Sequence, residues 1–440
     1  MSHYKPYPAY KDSGVEWLGE VPEHWGVKSI KWLSSVQRGA SPRPIDDPKY
    51  FDDDGEYAWV RITDVSASDG NLRETTQHLS ELGSSLSVKI QPNELFVSIA
   101  GTVGKPCISG IKACIHDGFV YFPELKISPM YIYRIFEAGI CFGGLGKLGT
   151  QLNLNTDTIG SIRIALPPSS EIGDVLSFLD RETAKIDTLI SKQEKLIELL
   201  KEKRQAVISH AVTKGLNPKA KMKDSGVEWI GEVPEEWSIP TLKHLVATPI
   251  TDGPHETPVK QDVGIKFISA ESLSSGRINF SKAWGFISKE DNERFSRKYK
   301  PQRNDIYMIK SGATTGVVAI VEDDMEFNIW SPLAAIRPSS NTFPRFLLYA
   351  LRSSEFQAGV ALNWSYGTQQ NIGMSVLEAL PVPIPSLEKQ RSISDYLDRE
   401  TAKIDTLISK SEKAIELQKE HRTTLISAAV TGKIDVRGAT

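Results

Sequence analysis

The sequence predicts an α+β protein built as a pseudo-twofold tandem repeat, in which two α/β domains are joined by two long helices packed as an antiparallel coiled coil. Three observations predict this class. A motif near the N-terminus returns in the second half of the chain, a second motif returns letter for letter, and each copy closes with a long segment in which apolar residues have helical spacing.

The internal repeat divides the chain. Lys11-Asp-Ser-Gly-Val-Glu-Trp17 recurs as Lys223 to Trp229, and both copies continue through Gly-Glu-Val-Pro-Glu to a second tryptophan, Trp25 or Trp237. The closing segment Leu179 to Lys192 recurs unchanged as Leu397 to Lys410. Because the two motif pairs keep nearly the same separation, a tandem duplication explains them.

The interiors of the two copies differ, although scattered anchors survive. Gly149-Thr-Gln-Leu-Asn-Leu154 matches Gly367-Thr-Gln-Gln-Asn-Ile372, and Asn93-Glu-Leu-Phe-Val97 matches Asn304-Asp-Ile-Tyr-Met308. Neutral drift after duplication is one explanation. The near identity of the flanks favours the other, in which one shape carries two specificities.

The closing segments are predicted to be long helices. Their apolar residues recur at steps built from three and four: Ile172, Leu176, Leu179, Ile186, Ile190, Ile197, Leu200 and Val207 in the first copy, and Ile393, Leu397, Ile404, Ile408, Ile415 and Leu425 in the second. Prolines precede each segment, and Gly215 or Gly432 follows it. Roughly 40 residues make a helix on the order of 60 Å long. Such a narrow stripe needs a partner helix, and the other copy supplies one.

The interiors are expected to contain short strands and some helix. The predicted strands are 57–62, 95–99, 265–268, 306–309 and 317–321, and the predicted helices are 130–138 and 343–356. The predicted segments of the chain are 1–168 (first domain), 169–214 (first long helix), 215–385 (second domain), 386–431 (second long helix) and 432–440 (C-terminal tail).

Composition limits the function classes. A net charge of −3 argues against a protein that coats nucleic-acid phosphates over its whole surface, so any such surface is local. Three cysteines without close spacing predict neither a zinc knuckle nor a disulfide framework. With no apolar run near 18 residues, we expect no membrane segment and a cytoplasmic protein.

The repeated opening and the Leu-Asp-x-Glu-Thr-Ala-Lys-Ile-Asp helix, together with the Gly-Thr-Gln-x-Asn segment before it, resemble the specificity subunits of type I restriction–modification systems. The resemblance covers essentially the whole chain. It implies two target-recognition domains, each reading half of a split sequence in double-stranded DNA, with the helix pair as a spacer. It also implies two adenine-methyltransferase subunits that use S-adenosylmethionine, and two restriction subunits driven by ATP with Mg²⁺.

Motifs for catalysis by this chain are absent from the sequence, so we expect a non-catalytic subunit with no cofactor or metal of its own. Gly101-Thr-Val-Gly-Lys-Pro106 lacks the spacing of a phosphate-binding loop and is expected to be a turn. Asn217-Pro218 is followed by Lys219 rather than by the residues of an amino-methyltransferase motif. A stand-alone nuclease using carboxylates such as Asp323 and Asp324, or a helical scaffold with no DNA role, remain the alternatives.

Loops of the two interiors supply the candidate DNA-binding residues, because Arg and Lys reach guanine edges or phosphates and Asn, Gln, Ser and Thr reach bases. In the first copy these are Arg38, Ser41, Arg43, Arg61, Thr63, Lys105, Lys147, Thr150, Gln151 and Asn153. In the second copy they are His255, Thr257, Lys260, Lys310, Thr314, Thr315, Thr368, Gln369 and Asn371. Gly-Thr-Gln-x-Asn occurs in both copies, which suits a shared structural or backbone-gripping role better than discrimination between sequences.

Overall fold

A computed structural model describes residues 4–143, 154–273, 276–363, 365–366 and 370–438. Contacts divide the chain into two compact units: Met1–Gln193 with Lys413–Thr440 (unit 1), and Glu194–Glu412 (unit 2). Each unit therefore includes part of both long helices, whereas the segments predicted from sequence end where the helices end. Those segment boundaries stay a prediction.

Unit 1 holds thirteen of the strands in the described part of the chain. They are β1 Tyr10–Asp12, β2 Glu20–Pro22, β3 Gly26–Ser29, β4 Gln37–Arg38, β5 Tyr57–Val60, β6 Asn71–Leu72, β7 His78–Leu79, β8 Val88–Ile90, β9 Leu95–Ser98, β10 Pro106–Ser109, β11 Ala113–Ile115, β12 Phe119–Tyr121 and β13 Arg163–Leu166. Its α-helices are α1 Ile62–Ala67, α2 Glu81–Ser85, α3 Pro129–Ala138, α4 Thr156–Ser161 and the first part of α5 Ser169–Lys214.

Two larger sheets organise unit 1. One has the strand order β4-β12-β9-β10-β6, and the other has the order β7-β5-β11-β8 with β5 and β11 parallel. Residues such as Val60, Phe96 and Phe119 are fully buried in one apolar cluster formed by strands of both sheets. The two sheets thus form a single packed domain.

Unit 2 contains the strands β14 Met222–Asp224, β15 Glu232–Pro234, β16 Thr251–Asp252, β17 Ile265–Ile268, β18 Gly285–Ile287, β19 Ile306–Ile309, β20 Val318–Ile320, β21 Phe327–Ile329, β22 Leu333–Ile336, β23 Ser365–Tyr366 and β24 Gln370–Asn371. Its α-helices are α6 Lys289–Ser296, α7 Pro344–Arg352, α8 Ser354–Asn363, α9 Met374–Ala379 and the first part of α10 Leu387–Val430.

The sheets of unit 2 repeat the topology of unit 1. The order β16-β22-β19-β20 corresponds strand for strand to β4-β12-β9-β10, and β18-β17-β21 corresponds to β7-β5-β11, with β17 and β21 parallel as β5 and β11 are. Divergent interior sequences therefore keep one architecture. This repetition confirms the predicted fold class, two mixed α and β domains in tandem with long helices.

The long helices pack antiparallel within each unit. In unit 1, the Tyr131 hydroxyl donates to the carbonyl of Ala165, just before α5, and to that of Val430, the last residue of α10. In unit 2, Val212 near the end of α5 shares an apolar cluster with Leu397 near the start of α10. Leu179, Ile186 and Leu425 of the predicted stripe are buried in one apolar cluster of unit 1, and Ile393 and Leu397 are buried in one of unit 2.

Both long helices end at a glycine in the left-handed region, Gly215 with φ 76° and Gly432 with φ 71°. A Cβ on Gly432 would lie 2.3 Å from Pro22, and one on Gly215 would lie 3.3 Å from Trp237. Each helix end is thus capped beside a tryptophan of the repeated opening motif. Glycine meets both the backbone conformation and the close packing.

Beside the second tryptophan of each opening motif, a contact with the long helix has its acidic and basic residues exchanged between units. In unit 1, His24 lies 2.7 Å from Glu171, which also accepts from Trp25. In unit 2, the corresponding residues are Glu236 and Lys389, which form an ion pair. The same two positions are therefore in contact in both units, although the acidic residue lies on the helix in unit 1 and in the opening motif in unit 2.

Most of the predicted interior elements are confirmed, with two corrections. The strands at 265–268 and 306–309 have the predicted bounds. The strand predicted for 57–62 ends at Val60, because α1 begins at Ile62. The single helix predicted for 343–356 is two helices, because Ser353 is extended and its hydroxyl accepts from Phe356 N at 3.2 Å. Within the described residues, no helix is both long and apolar enough to cross a membrane.

Candidate nucleic-acid interface

The end of β4 and the loop after it, in unit 1, bring three predicted residues to one aspartate, Asp117, that the sequence did not single out. Arg43 donates to Asp117 Oδ2 at 3.0 Å, and the Ser41 hydroxyl donates to Asp117 Oδ1 at 3.3 Å. Arg38 donates from Nε to the backbone carbonyl of the same residue. The side chains of Arg38 and Arg43 are exposed, so the cluster presents two guanidinium groups to solvent.

Arg61 and Thr63 lie beside this cluster at the start of α1, and both are exposed. The Arg61 backbone N–H donates to Asp64 Oδ2 at 2.8 Å, which fixes the first turn of the helix. Burial lowers the pKa of His116, the neighbouring Asp117 opposes this, and the positive charges of Arg38 and Arg61 lower it further. Both arginines therefore act on the same small region, which keeps His116 neutral near pH 7.

Lys105 is turned toward the protein. Its ammonium donates to the backbone carbonyls of Ser66 and Ser68, both at 2.9 Å, at the C-terminal end of α1. A cation at this helix end satisfies carbonyls that have no partner inside the helix. Lys105 thus has a structural role, and its predicted DNA contact stays a prediction.

Unit 2 has a corresponding cluster around Asp252, the last residue of β16. Lys298 Nζ lies 2.5 Å from Asp252 Oδ1, while Lys310 Nζ and His255 Nε2 lie 3.1 and 3.0 Å from Oδ2. The Asp252 side chain is only 10% exposed. Burial alone would raise its pKa, but hydrogen bonds and charges from Lys298 and Lys310 outweigh burial and hold the pKa below the usual value. One ionised carboxylate thus orients several cationic groups.

The two clusters occupy equivalent places because a glycine follows each strand. A Cβ on Gly39 would lie 2.2 Å from the His116 carbonyl oxygen, and one on Gly253 would lie 2.1 Å from that of Ile329. No other residue allows the loop to pass this close to the neighbouring strand end. The shared glycine sets the position of each loop, and the residues after it differ between units.

The remaining predicted residues of unit 2 lie on nearby loops. Thr257 and Lys260 are exposed, and Lys260 Nζ lies 5.6 Å from the Trp284 ring centroid. Thr314 is exposed, whereas the Thr315 hydroxyl donates to the Gly312 carbonyl at 2.7 Å. Asn371 is exposed and forms a β-bridge with Ser311, which lies on the same loop as Thr314 and Thr315. Lys310 and Thr314 lie on the loop that follows β19. Because Lys310 binds Asp252, this loop lies beside the Asp252 cluster.

Six predicted residues, all in or near the Gly-Thr-Gln-x-Asn segments, lie outside the described part of the chain: Lys147, Thr150, Gln151, Asn153, Thr368 and Gln369. Sequence reasoning did not single out Asp117, Asp252 or Lys298 as individual residues. The available signal was weak, namely a carboxylate directly after or at the end of a short apolar strand. The described residues include no group of three or more His, Cys, Asp or Glu arranged to hold a metal ion.

Comparison with known proteins gives a consistent result. A family model described as the type I restriction modification DNA specificity domain matches residues 22–199 and again residues 234–417. The type I restriction enzyme MjaVIII specificity subunit of Methanocaldococcus jannaschii is 25% identical over 432 residues, which cover 95% of this chain and 94% of that relative. The type I restriction enzyme EcoBI specificity subunit of Escherichia coli is 26% identical over 292 residues, which cover 65% of this chain and 61% of that relative.

The fold is also found among solved structures. A chain solved in work on complex assembly and conformational transition of the type I R-M system superposes with a TM-score of 0.69 at 15% identity. The superposition covers 93% of this chain and 98% of that one. The full length of the tandem architecture is therefore shared.

Proposed function

Since the chain belongs to the type I restriction–modification DNA specificity family, as a specificity subunit with two target-recognition domains, we propose that it binds double-stranded DNA and reads a bipartite target. Each unit reads one half-site, and the paired helices set the separation of the half-sites. The chain itself is non-catalytic. Methyl transfer with S-adenosylmethionine and cleavage driven by ATP with Mg²⁺ belong to the subunits that it recruits.

One observation carries this proposal: two equivalent loops present different basic side chains on the same frame. In unit 1 the loop offers arginines held by Asp117, and in unit 2 it offers His255 held by Asp252, which also binds Lys310 from the loop after β19. Guanidinium, imidazole and ammonium groups differ in the base edges and phosphates that they contact. A shared frame with different contact groups is what reading two unlike half-sites requires.

Recruitment of two methyltransferase subunits, and of two restriction subunits with them, is supported by exposed leucines repeated at equivalent helix positions. Unit 1 exposes Leu189 at 46% and Leu417 at 56%, and unit 2 exposes Leu199 and Leu407 at 49% each. Leu189 and Leu407 occupy the same position of the repeat, as do Leu199 and Leu417. Each unit thus exposes leucine on both helices, with Leu196 at 43% as a further one in unit 2, which suits one partner subunit per unit.

Methylation sequencing of the host genome, with and without this gene, tests the proposal. We expect a split adenine-methylation motif that is lost with the gene. Exchanging residues 20–160 for those of another specificity subunit is expected to change one half of the motif and leave the other half and the spacer intact. The control is a gene in which the codons of residues 20–160 are replaced by synonymous codons, so that the amino-acid sequence is unchanged.

Two results would contradict the proposal. Magnesium-dependent cleavage of DNA by the purified chain alone would indicate a stand-alone nuclease. A chain that assembles with its methyltransferase but leaves the methylation pattern without any sequence preference would indicate a helical scaffold.

A further inference from the structure

Unit 2 contains a cleft of about 730 Å³ whose wall is rich in cationic side chains. Lys201 and Arg204 lie on α5, Arg352 is the last residue of α7, and Arg277 lies between β17 and β18. An adjoining cavity of about 300 Å³ is lined by the same three arginines and adds Arg345. Asp252 is not among the residues that line the cleft, whereas the predicted residue Thr315 is.

Carboxylates neutralise only part of this charge. Asp405 pairs with Arg204 at 3.0 Å, and Glu322 and Asp398 pair with Arg345 at 2.6 and 3.0 Å. Among the residues that the structure describes, no carboxylate lies within ion-pair distance of Lys201, Arg277 or Arg352. Arg352 donates instead to the backbone carbonyls of Gly276 and of Val318, the latter at 3.0 Å.

The equivalent place in unit 1 is neutralised by a residue of opposite charge. Helices α3 and α7 both begin at a proline, and Glu137 and Arg352 each lie eight residues further along. Glu137 accepts from Arg134 at 2.8 Å and from Arg422 at 3.0 Å. Arg422 is the repeat equivalent of Arg204, so an attractive pair in unit 1 is replaced in unit 2 by two guanidinium groups.

This replacement is costly for the unliganded fold. Burial, together with the charges of Arg204, Arg345 and Arg277, lowers the pKa of Arg352 to about 10. A mostly buried guanidinium among like charges destabilises the folded chain unless an anion enters. Such perturbed charges in a cleft are typical of a functional site.

We propose that the arginine cleft of unit 2 binds phosphate groups, supplied either by the DNA backbone or by a free nucleotide. Guanidinium groups bind phosphate oxygens through paired hydrogen bonds, and several guanidiniums around one volume suit a ligand with more than one negative charge. The cleft is large enough for a pyrophosphate group. The assignment does not rest on the proposed function, because binding of a free phosphate ligand needs no recognition of DNA sequence.

Titration of the full chain with inorganic pyrophosphate, and separately with ATP, at low ionic strength tests the proposal. We expect Arg277→Gln to weaken pyrophosphate binding about tenfold, since Arg277 is exposed and its loss spares the fold. Arg352→Glu, which introduces the residue type of unit 1, is expected to abolish binding. Arg303→Gln is the matched control, because Arg303 is an exposed arginine of unit 2 paired with Asp324 outside the cleft.

Binding to a 40-base-pair duplex of random sequence, over a range of salt concentrations, identifies the source of the phosphate. The salt dependence of duplex binding reports how many ions are released. If Arg277→Gln lowers that number by about one, the DNA backbone supplies the ligand. If only pyrophosphate and ATP binding weaken, the ligand is a free nucleotide. The proposal is overturned if the wild-type chain binds neither small ligand and Arg277→Gln leaves duplex binding unchanged, or if the Arg303→Gln control loses as much as Arg277→Gln.

Discussion

Arg422 on α10 donates from Nε to Oδ1 of Asp187 on α5 at 2.9 Å. The repeat equivalents, Arg204 on α5 and Asp405 on α10, form the same pair at 3.0 Å in the other unit. In both units the arginine comes from the later part of its helix and the aspartate from the earlier part of the other helix. Within each unit, this ion pair joins the two long helices.

Replacing Arg422 with methionine is expected to destabilise unit 1 by about 2 kcal/mol, the scale for losing charge-assisted hydrogen bonds that are partly buried. Arg422 is 23% exposed and contacts Glu137, which is 16% exposed. Without Arg422, the mostly buried Glu137 carboxylate loses one of its hydrogen-bond partners. Unfolding in urea measures the change. Arg399→Met on the same helix is the control, because Arg399 is exposed and has no hydrogen bond or ion pair to another described residue. Equal losses in both variants would argue against the ion pair as the cause.

Removing the tail after Gly432 is expected to destabilise unit 1 by about 3 to 5 kcal/mol, because two apolar side chains lose their burial. Ile434 is 4% exposed and Val436 is 2% exposed. The tail also binds the start of the chain, since Lys433 donates to the Glu20 carbonyl at 2.6 Å and the Asp435 N–H donates to that of Lys5 at 2.8 Å. Hydrogen exchange should therefore increase in residues 4–22. A chain ending at Arg437 is the control, and equal exchange in both truncated chains would contradict the tail's role.

Asp252→Asn is expected to reduce stability by on the order of 2 kcal/mol at pH 7, because Lys298 and Lys310 lose their shared carboxylate. The folded-state pKa of Asp252 is depressed below the ordinary 3.8. Its contribution is therefore fully present above that value and is lost as the pH falls through the folded-state pKa. The difference between variant and wild type should shrink in urea unfolding measured from pH 7 down to pH 3.

Asp324→Asn is the matched control, since Asp324 is 76% exposed and pairs with Arg303 at the surface. We expect it to cost less than about 0.5 kcal/mol across the same range. A constant penalty for Asp252→Asn at every pH would show that packing, and not the charge, is what the substitution removes.

The frame was predictable from sequence, whereas the composition of the candidate site was only partly so. Repeated motifs and helical spacing identify the long helices and the tandem domains because both signals are local and occur twice. Asp117 gave no such signal. It lies between β11 and β12, and the antiparallel pairing of β12 with β4 brings it to the loop at Arg43. Lys105 was chosen for its charge, and the sequence did not predict that its ammonium would donate to the carbonyls of Ser66 and Ser68.

Arg43→Gln is expected to affect DNA binding far more than stability, because the Arg43 side chain is 70% exposed. If Arg43 contacts a base, the loss should be about 1 to 3 kcal/mol and relax one position in one half of the methylation motif. If it contacts a phosphate, binding should weaken on every sequence and the salt dependence should fall by about one ion. Arg73→Gln, an exposed pair with Asp69 in the same unit, is the control. No effect on motif or salt dependence would remove Arg43 from the interface.

Lengthening both helices is expected to lengthen the unread spacer of the DNA target while both half-site sequences stay the same. Four residues inserted after Lys192 and four inserted after Leu417 keep the ion pairs of each unit, because Lys192 is five residues after Asp187 and Leu417 is five before Arg422. The insertion adds about 6 Å of helix, close to the rise of two base pairs. Methylation sequencing should therefore report a spacer longer by one or two base pairs. Substituting the four residues after Lys192 without changing the length is the control. An unchanged spacer in a folded, active variant would show that the helices do not set the distance between half-sites.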